Sequence, residues 1–123
     1  MVKNILIVDD NASVRHFLRS FLESQPGFSV CGEAVDGMDA IEKAGELHPD
    51  LIVLDFAMPR MNGLDSAVAL RSILPGVPII LFTLHKSAVM KDRARDSGVS
   101  AVLSKSDTVD ALFQQIQLLL PPA

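Results

Sequence analysis

Five short apolar runs, at residues 4–8, 28–32, 50–54, 78–82 and 100–103, are bounded by polar or turn-forming residues and are predicted to be β-strands. Several are apolar at successive positions rather than alternating, the pattern of strands covered on both faces, which favours a parallel sheet between helical layers. Pro78 is compatible with a strand because it stands first in its run. Between the runs the apolar positions change to steps of three and four. Val14, Phe17, Leu18, Phe21 and Leu22 define one helical face, and Val109, Leu112, Phe113, Ile116, Leu119 and Leu120 another. Both read as core faces, with Phe17, Phe21 and Phe113 expected inside. A fourth helix, at 86–96, offers only Ala88, Val89, Met90 and Ala94 among many charges, so it should be thinly buried and low in local stability.

The punctuation agrees. Pro26-Gly27 ends the first helix, Asp36-Gly37 opens the second, Pro49 follows it, and Gly98 ends the fourth. Asp107 or Thr108 caps the last helix. A strand-helix unit repeated five times, with short right-handed connections, predicts an α/β fold: a (βα)5 three-layer sandwich rather than an eight-stranded barrel. Residues 1–120 are expected to form one domain, and 121–123, Pro-Pro-Ala, a C-terminal tail or the start of a linker.

Composition narrows the class. With 49% hydrophobic and 21% charged residues among 123, the chain has the balance of a globular domain large enough to hold a core without staples. Cys31 is the single cysteine, so no internal disulfide forms; its apolar surroundings point to a small buried thiol, and a reducing, cytoplasmic setting fits. The N-terminus is too short in apolar residues for a signal-peptide core, and no run nears the roughly 20 residues of a membrane span, so a soluble protein is expected. A net charge of −4 with interspersed signs excludes a basic footprint and argues against direct nucleic-acid binding by this segment.

The polar residues fall in a pattern. The first run ends in Asp9-Asp10, the third in Asp55 and the fourth in Thr83, and the fifth is followed by Lys105. In parallel strands all of these lie at carboxyl ends, the edge at which open α/β sheets bind ligands. The second run ends in Glu33-Ala34 without an evident partner, consistent with an outer strand in the order 2-1-3-4-5. Three carboxylates drawn together repel, and a hard divalent cation with oxygen ligands, Mg2+ in particular, relieves that repulsion. A carboxylate beside such a cation can take up a phosphoryl group as an acyl phosphate, with Lys105 as second positive charge and the Thr83 hydroxyl as donor. Individually each of these residues has an ordinary explanation as cap, turn, strand former or solvated side chain; their joint placement at one edge carries the argument.

ILIVDD, LIVLDFAMPRMNGLD, PIILFT and SGVSAVLSK stand in the order and at the separations of the receiver domains of bacterial two-component response regulators, which this chain resembles over nearly its whole length. The resemblance implies a flavodoxin-like fold and a phosphoacceptor function. Asp55 would accept a phosphoryl group from a phosphohistidine of a sensor histidine kinase or phosphotransfer protein. Asp10, Asp9 and the Ala57 carbonyl would join Asp55 in holding Mg2+, and Thr83 and Lys105 would be the switch hydroxyl and phosphate-binding lysine. It further implies output through the fourth helix, fifth strand and fifth helix, to an output domain or partner protein, and a phosphorylation-linked homodimer. The chain would be no enzyme beyond its own phosphorylation and dephosphorylation.

Departures from the family pattern are Val102, where an aromatic switch residue often stands, and Ser106, where a proline commonly follows the lysine. Some receivers joined to LuxR-type DNA-binding domains share the second departure. His85 is read mainly as a surface residue, and His16 and His48 as a helix-surface and a helix-end residue. Rival readings are a phosphate-independent interaction scaffold, suggested only by Val102, and an aspartyl-phosphate phosphohydrolase, for which no connection is long enough to form a cap. A flavodoxin-type cofactor module is disfavoured because the acidic DDNAS segment follows the first strand.

Overall fold

The computed structural model describes residues 2–84 and 87–120. The order is β1 (Lys3–Val8), α1 (Ala12–Glu23), β2 (Phe28–Ala34), α2 (Gly37–Leu47), β3 (Leu51–Leu54), α3 (Gly63–Ile73), β4 (Ile79–Thr83), α4 (Ala88–Asp96), β5 (Ala101–Ser104) and α5 (Val109–Leu119). The five strands form one sheet in the order β2-β1-β3-β4-β5, every neighbouring pair parallel. This is the doubly wound, flavodoxin-like (βα)5 sandwich expected from the pattern.

Strand alternation sorts the core into two layers. Ile5, Ile7, Val53, Ile80 and Phe82 face α1 and α5, where Leu18, Leu22, Leu112 and Ile116 are buried. Leu6, Val8, Ile52, Leu54 and Leu81 face Ala40 and Ala44 of α2, Leu64, Ala67 and Leu70 of α3, and Met90 and Ala94 of α4. Since β1, β3 and β4 are covered on both sides, their runs are continuous rather than alternating.

Side-chain caps set the helix starts: Asn11, Asp36, Asn62, Ser87 and Thr108 each accept a hydrogen bond from a first-turn amide of the helix that follows. Of the two candidates for the last helix, Thr108 is the cap, while Asp107 Oδ2 accepts from the Ser104 amide at 3.1 Å.

Four expectations need correction or narrowing. Phe17 is 56% exposed rather than core. The α1–α5 seam is closed lower down by Phe21, Phe28 and Phe113, whose rings meet edge to face at 5.3–5.8 Å. Nearer the carboxyl edge it opens into a cleft of about 450 Å3 beside Val14, Phe17, Phe82 and Val109, so the helix stripe is wider than the surface that covers it. Cys31 is half-buried; the β1–β2 register shifts between Ile5 and Leu6, leaving Cys31 without a paired residue, and partial burial raises its thiol pKa. The outer strand runs on to Ala34, two residues beyond its predicted end. The fourth helix, expected from 86, is Ala88–Asp96, with Lys86 outside the described residues; it buries only Met90 and Ala94, as its charges foretold. His85 and residues 121–123 also lie outside the described residues.

Candidate functional site

At the carboxyl edge the strand ladder continues past the strands themselves. The Asp9 amide donates to Ala34 O at 3.1 Å, the Asp55 amide to Val8 O at 2.9 Å and the Lys105 amide to Thr83 O at 2.8 Å. Asp9, Asp55 and Lys105 therefore start from a backbone fixed by the neighbouring strand. Asp9, Asp10, Asp55, Ala57, Thr83 and Lys105 all line one cleft of about 210 Å3, joined by Asn11 and Leu84.

Carboxylate oxygens of Asp9, Asp10 and Asp55 lie within 4.8 Å of one another. Asp9 and Asp55 are buried while Asp10 is exposed, so the cluster opens toward solvent on one side. Lys105 Nζ reaches between the buried pair, 2.7 Å from Asp9 Oδ2 and 3.3 Å from Asp55 Oδ1, and its side chain is only 13% exposed. Burial, with the nearby charge of Asp9, pushes the Asp55 carboxyl above its usual range despite the opposing attraction of Lys105. Burial works to lower the lysine, but its hydrogen bond and attraction to Asp9 and Asp55 prevail, and its pKa is raised.

The set is a test of metal fit. Its donors are hard oxygens from three carboxylates gathered inside a small open cleft, the chemistry a divalent cation such as Mg2+ takes and thiol or imidazole metals do not. The ammonium group of Lys105 already answers part of the repulsion.

The loop after Asp55 is held by close approach. At Gly63, where α3 begins, a Cβ would stand 2.3 Å from Asp55 O and 2.8 Å from Phe56 Cα, so only glycine lets the helix start against the acidic residue's own backbone. Arg60, in a left-handed conformation at φ 68°, donates from Nε and Nη2 to Asp36 Oδ2 at 2.9 and 2.6 Å. This ties the loop to the start of α2. The Asp39 amide, and Arg60 after it, hold the Asp36 carboxyl below its usual pKa.

Several contributors were not anticipated. Glu33, at the outer strand that lends no residue to the cleft, receives Arg15 Nε at 3.1 Å and Arg19 Nη1 at 2.7 Å. Arg15 also donates from Nη1 to Asp9 O at 2.7 Å. Arg15 and Arg19 are four apart on α1 and thus share a face; a right-handed crossover lays that face over β2, which is the signal that could have found them.

The structure thus sets a three-carboxylate cluster and a lysine at the carboxyl edge of a five-stranded parallel sheet, where open α/β folds bind their ligands. The chain belongs to the family of response regulator receiver domains, whose model matches residues 5–117. It is 35% identical over 113 residues to the response regulator protein VraR of Staphylococcus saprophyticus, covering 92% of this chain and 54% of that protein. It is 38% identical over 119 residues to the transcriptional regulatory protein PdtaR of Mycobacterium tuberculosis, covering 94% and 56%. A two-component response regulator of the LuxR family from Aurantimonas superposes with a TM-score of 0.93 at 30% identity, over 98% of this chain and 86% of that one. The chain spans about half the length of the curated relatives it matches.

Proposed function

We propose that Asp55 accepts a phosphoryl group from a phosphohistidine of a sensor histidine kinase or phosphotransfer protein, and that the acyl phosphate switches the surface formed by α4, β5 and α5. The observation that carries this reading is the meeting of Asp9, Asp10, Asp55, Thr83 and Lys105 in one cleft. A carboxylate oxygen of Asp55 attacks phosphorus, the phosphorus–nitrogen bond to the donor imidazole breaks, and the electron pair leaves with the imidazole. Lys105 then shifts its ammonium toward the phosphoryl oxygens, and the Thr83 hydroxyl donates to one of them.

Asp9, Asp10, Asp55 and the Ala57 carbonyl would hold Mg2+. When bound, the cation neutralises the negative charge gathered on the carboxylates and phosphoryl oxygens. Asp55, being buried and flanked by other acids, is otherwise poorly disposed to accept a dianionic group.

Drawing Thr83 toward phosphate removes volume from the end of β4, beside Ser104 across the β4–β5 pairing. Val102 of β5 packs against the layer containing Met90 and Ala94, so an aliphatic residue occupies the route from Thr83 to α4. With just two buried side chains, α4 has little to hold it against a shift. A partner, or a second copy of the domain, that prefers the shifted form moves the population.

In this reading residues 1–120 are the receiver, 121–123 a tail or the start of a linker, and the domain catalyses only its own phosphorylation and dephosphorylation, in the cytoplasm. The lengths of the relatives, with the LuxR-family neighbour, support a parent regulator whose output lies in another domain. The described residues include no helix long and apolar enough to cross a membrane.

Beryllofluoride, an analogue of the phosphoryl group, tests the assignment by 19F NMR. A bound signal that needs both Mg2+ and Asp55, and is lost in Asp55→Ala, is expected; a signal that persists in the variant would contradict it.

A further inference from the structure

The acidic pair at the end of β1 is reached from the outer strand through one side chain. Glu33 near the end of β2 binds two arginines of α1 with separate oxygens, Arg15 Nε on Oε1 at 3.1 Å and Arg19 Nη1 on Oε2 at 2.7 Å. Arg19 goes on to Glu23 and the Val30 carbonyl, away from the cleft. Arg15 instead turns inward, and its Nη1 donates to Asp9 O at 2.7 Å. That oxygen belongs to the peptide joining Asp9 to Asp10, the two residues that would hold the cation from this strand. The other side of Asp9 is fixed by its amide on Ala34 O at 3.1 Å, and its carboxylate accepts from the Asn11 amide at 2.9 Å.

We infer that Arg15 is a positioning residue for the Asp9–Asp10 pair, oriented in turn by Glu33. Arg15 is not among the residues that line the cleft. It sets the plane of the peptide from which both carboxylates hang, and one planar guanidinium makes the two bonds at once, which the single ammonium of lysine does not reproduce. Arg15 is 16% exposed and Glu33 27%, so the linkage is shielded enough to hold a direction. The outer strand, which brings no residue into the cleft, acts on it through this linkage.

The inference rests on the reading of Asp9, Asp10 and Asp55 as the cation and phosphoryl site, and the test separates the two. Mn2+, a spin probe that stands in for Mg2+, is titrated by electron paramagnetic resonance into wild type, Arg15→Lys and Arg19→Met. Hydrogen exchange of the Asn11 amide is followed in the same proteins without metal. Arg15→Lys keeps the positive charge, so any change in Mn2+ affinity reports geometry alone. It is expected to raise the Mn2+ Kd about tenfold and to speed Asn11 exchange by about the same factor, the usual cost of losing a residue that orients a metal ligand. Arg19→Met loses an ion pair to the same glutamate and is expected to stay within about twofold of wild type on both readouts.

If Arg15→Lys lowers only the melting temperature and leaves both readouts at wild-type values, the pair is a structural ion pair and the inference falls. Should Arg15→Lys not fold, Glu33→Ala takes its place with the same expected direction, and unchanged Mn2+ affinity there overturns the inference equally. A wild type that binds no Mn2+ would instead remove the cation-site reading itself, and the inference with it.

Discussion

Lys105 is the residue whose removal separates the electrostatics of the cleft from its chemistry. Its ammonium lies between two buried carboxylates, so Lys105→Ala leaves Asp9 and Asp55 facing each other without compensation. The variant is expected to lose on the order of 2 kcal/mol of stability in metal-free buffer and to regain most of it in Mg2+, measured by urea unfolding. Equal losses with and without Mg2+ would mean that the cation does not bind at these carboxylates. The convergence of Asp9, Asp10, Asp55, Thr83 and Lys105 on one cleft was legible in the sequence because each ends or closely follows a strand, and parallel strands bring such ends to one edge. Arg15 and Glu33 were not, because their meeting depends on how α1 lies across β2, a rotation that apolar spacing alone does not fix to within a side chain. The partners of Glu33 come from a helix face read only for its hydrophobic positions.

At the scale of elements, the apolar runs predicted all five strands in their places, since strands covered on both faces show as continuous hydrophobic stretches. The helix starts were less legible, since which polar residue caps a helix depends on where its oxygen points, as the choice of Thr108 over Asp107 shows. Phe17 marks the limit of periodicity: it keeps helical step with Leu18, Phe21 and Leu22, yet its neighbourhood is an open cleft. Phe17→Ser should therefore change stability by less than about 0.5 kcal/mol, whereas Phe21→Ala, which removes a ring packed on Phe113, should cost about 3 kcal/mol. Chemical denaturation compares the two, and equal costs would return Phe17 to the core. Gly63 ties an element to the site. Gly63→Ala drives a Cβ into the Asp55 carbonyl and is expected to cost about 3 kcal/mol and to slow phosphoryl uptake, because the start of α3 and the acceptor cannot both keep their places. Ordinary uptake by a fully stable Gly63→Ala would show that the loop relaxes freely.

For the whole molecule, the sheet order makes four chain segments meet at one cleft, so folding and site assembly are one event. Acid stability follows from the linkage of the outer strand to α1. The hydrogen bond from Arg19, then that from Arg15, holds the Glu33 carboxyl below its ordinary value of 4.5, while the nearby Lys43 ammonium bonds its main-chain carbonyl. A carboxyl lowered by folding stabilises fully above its unfolded-state value and loses that contribution as pH falls through the folded value. Glu33→Gln should thus melt about 4 °C below wild type at pH 7, with the gap closing as pH falls below 4.5. A gap that stays constant with pH would assign the loss to packing instead. The claim on which the rest depends is that Asp55 takes the phosphoryl group, and intact mass spectrometry after brief incubation with acetyl phosphate tests it most directly. A gain of one phosphoryl group that requires Mg2+ and is absent from Asp55→Ala is the result this account predicts; a protein whose mass never changes, or one whose Asp55→Ala variant gains the same mass, would contradict it.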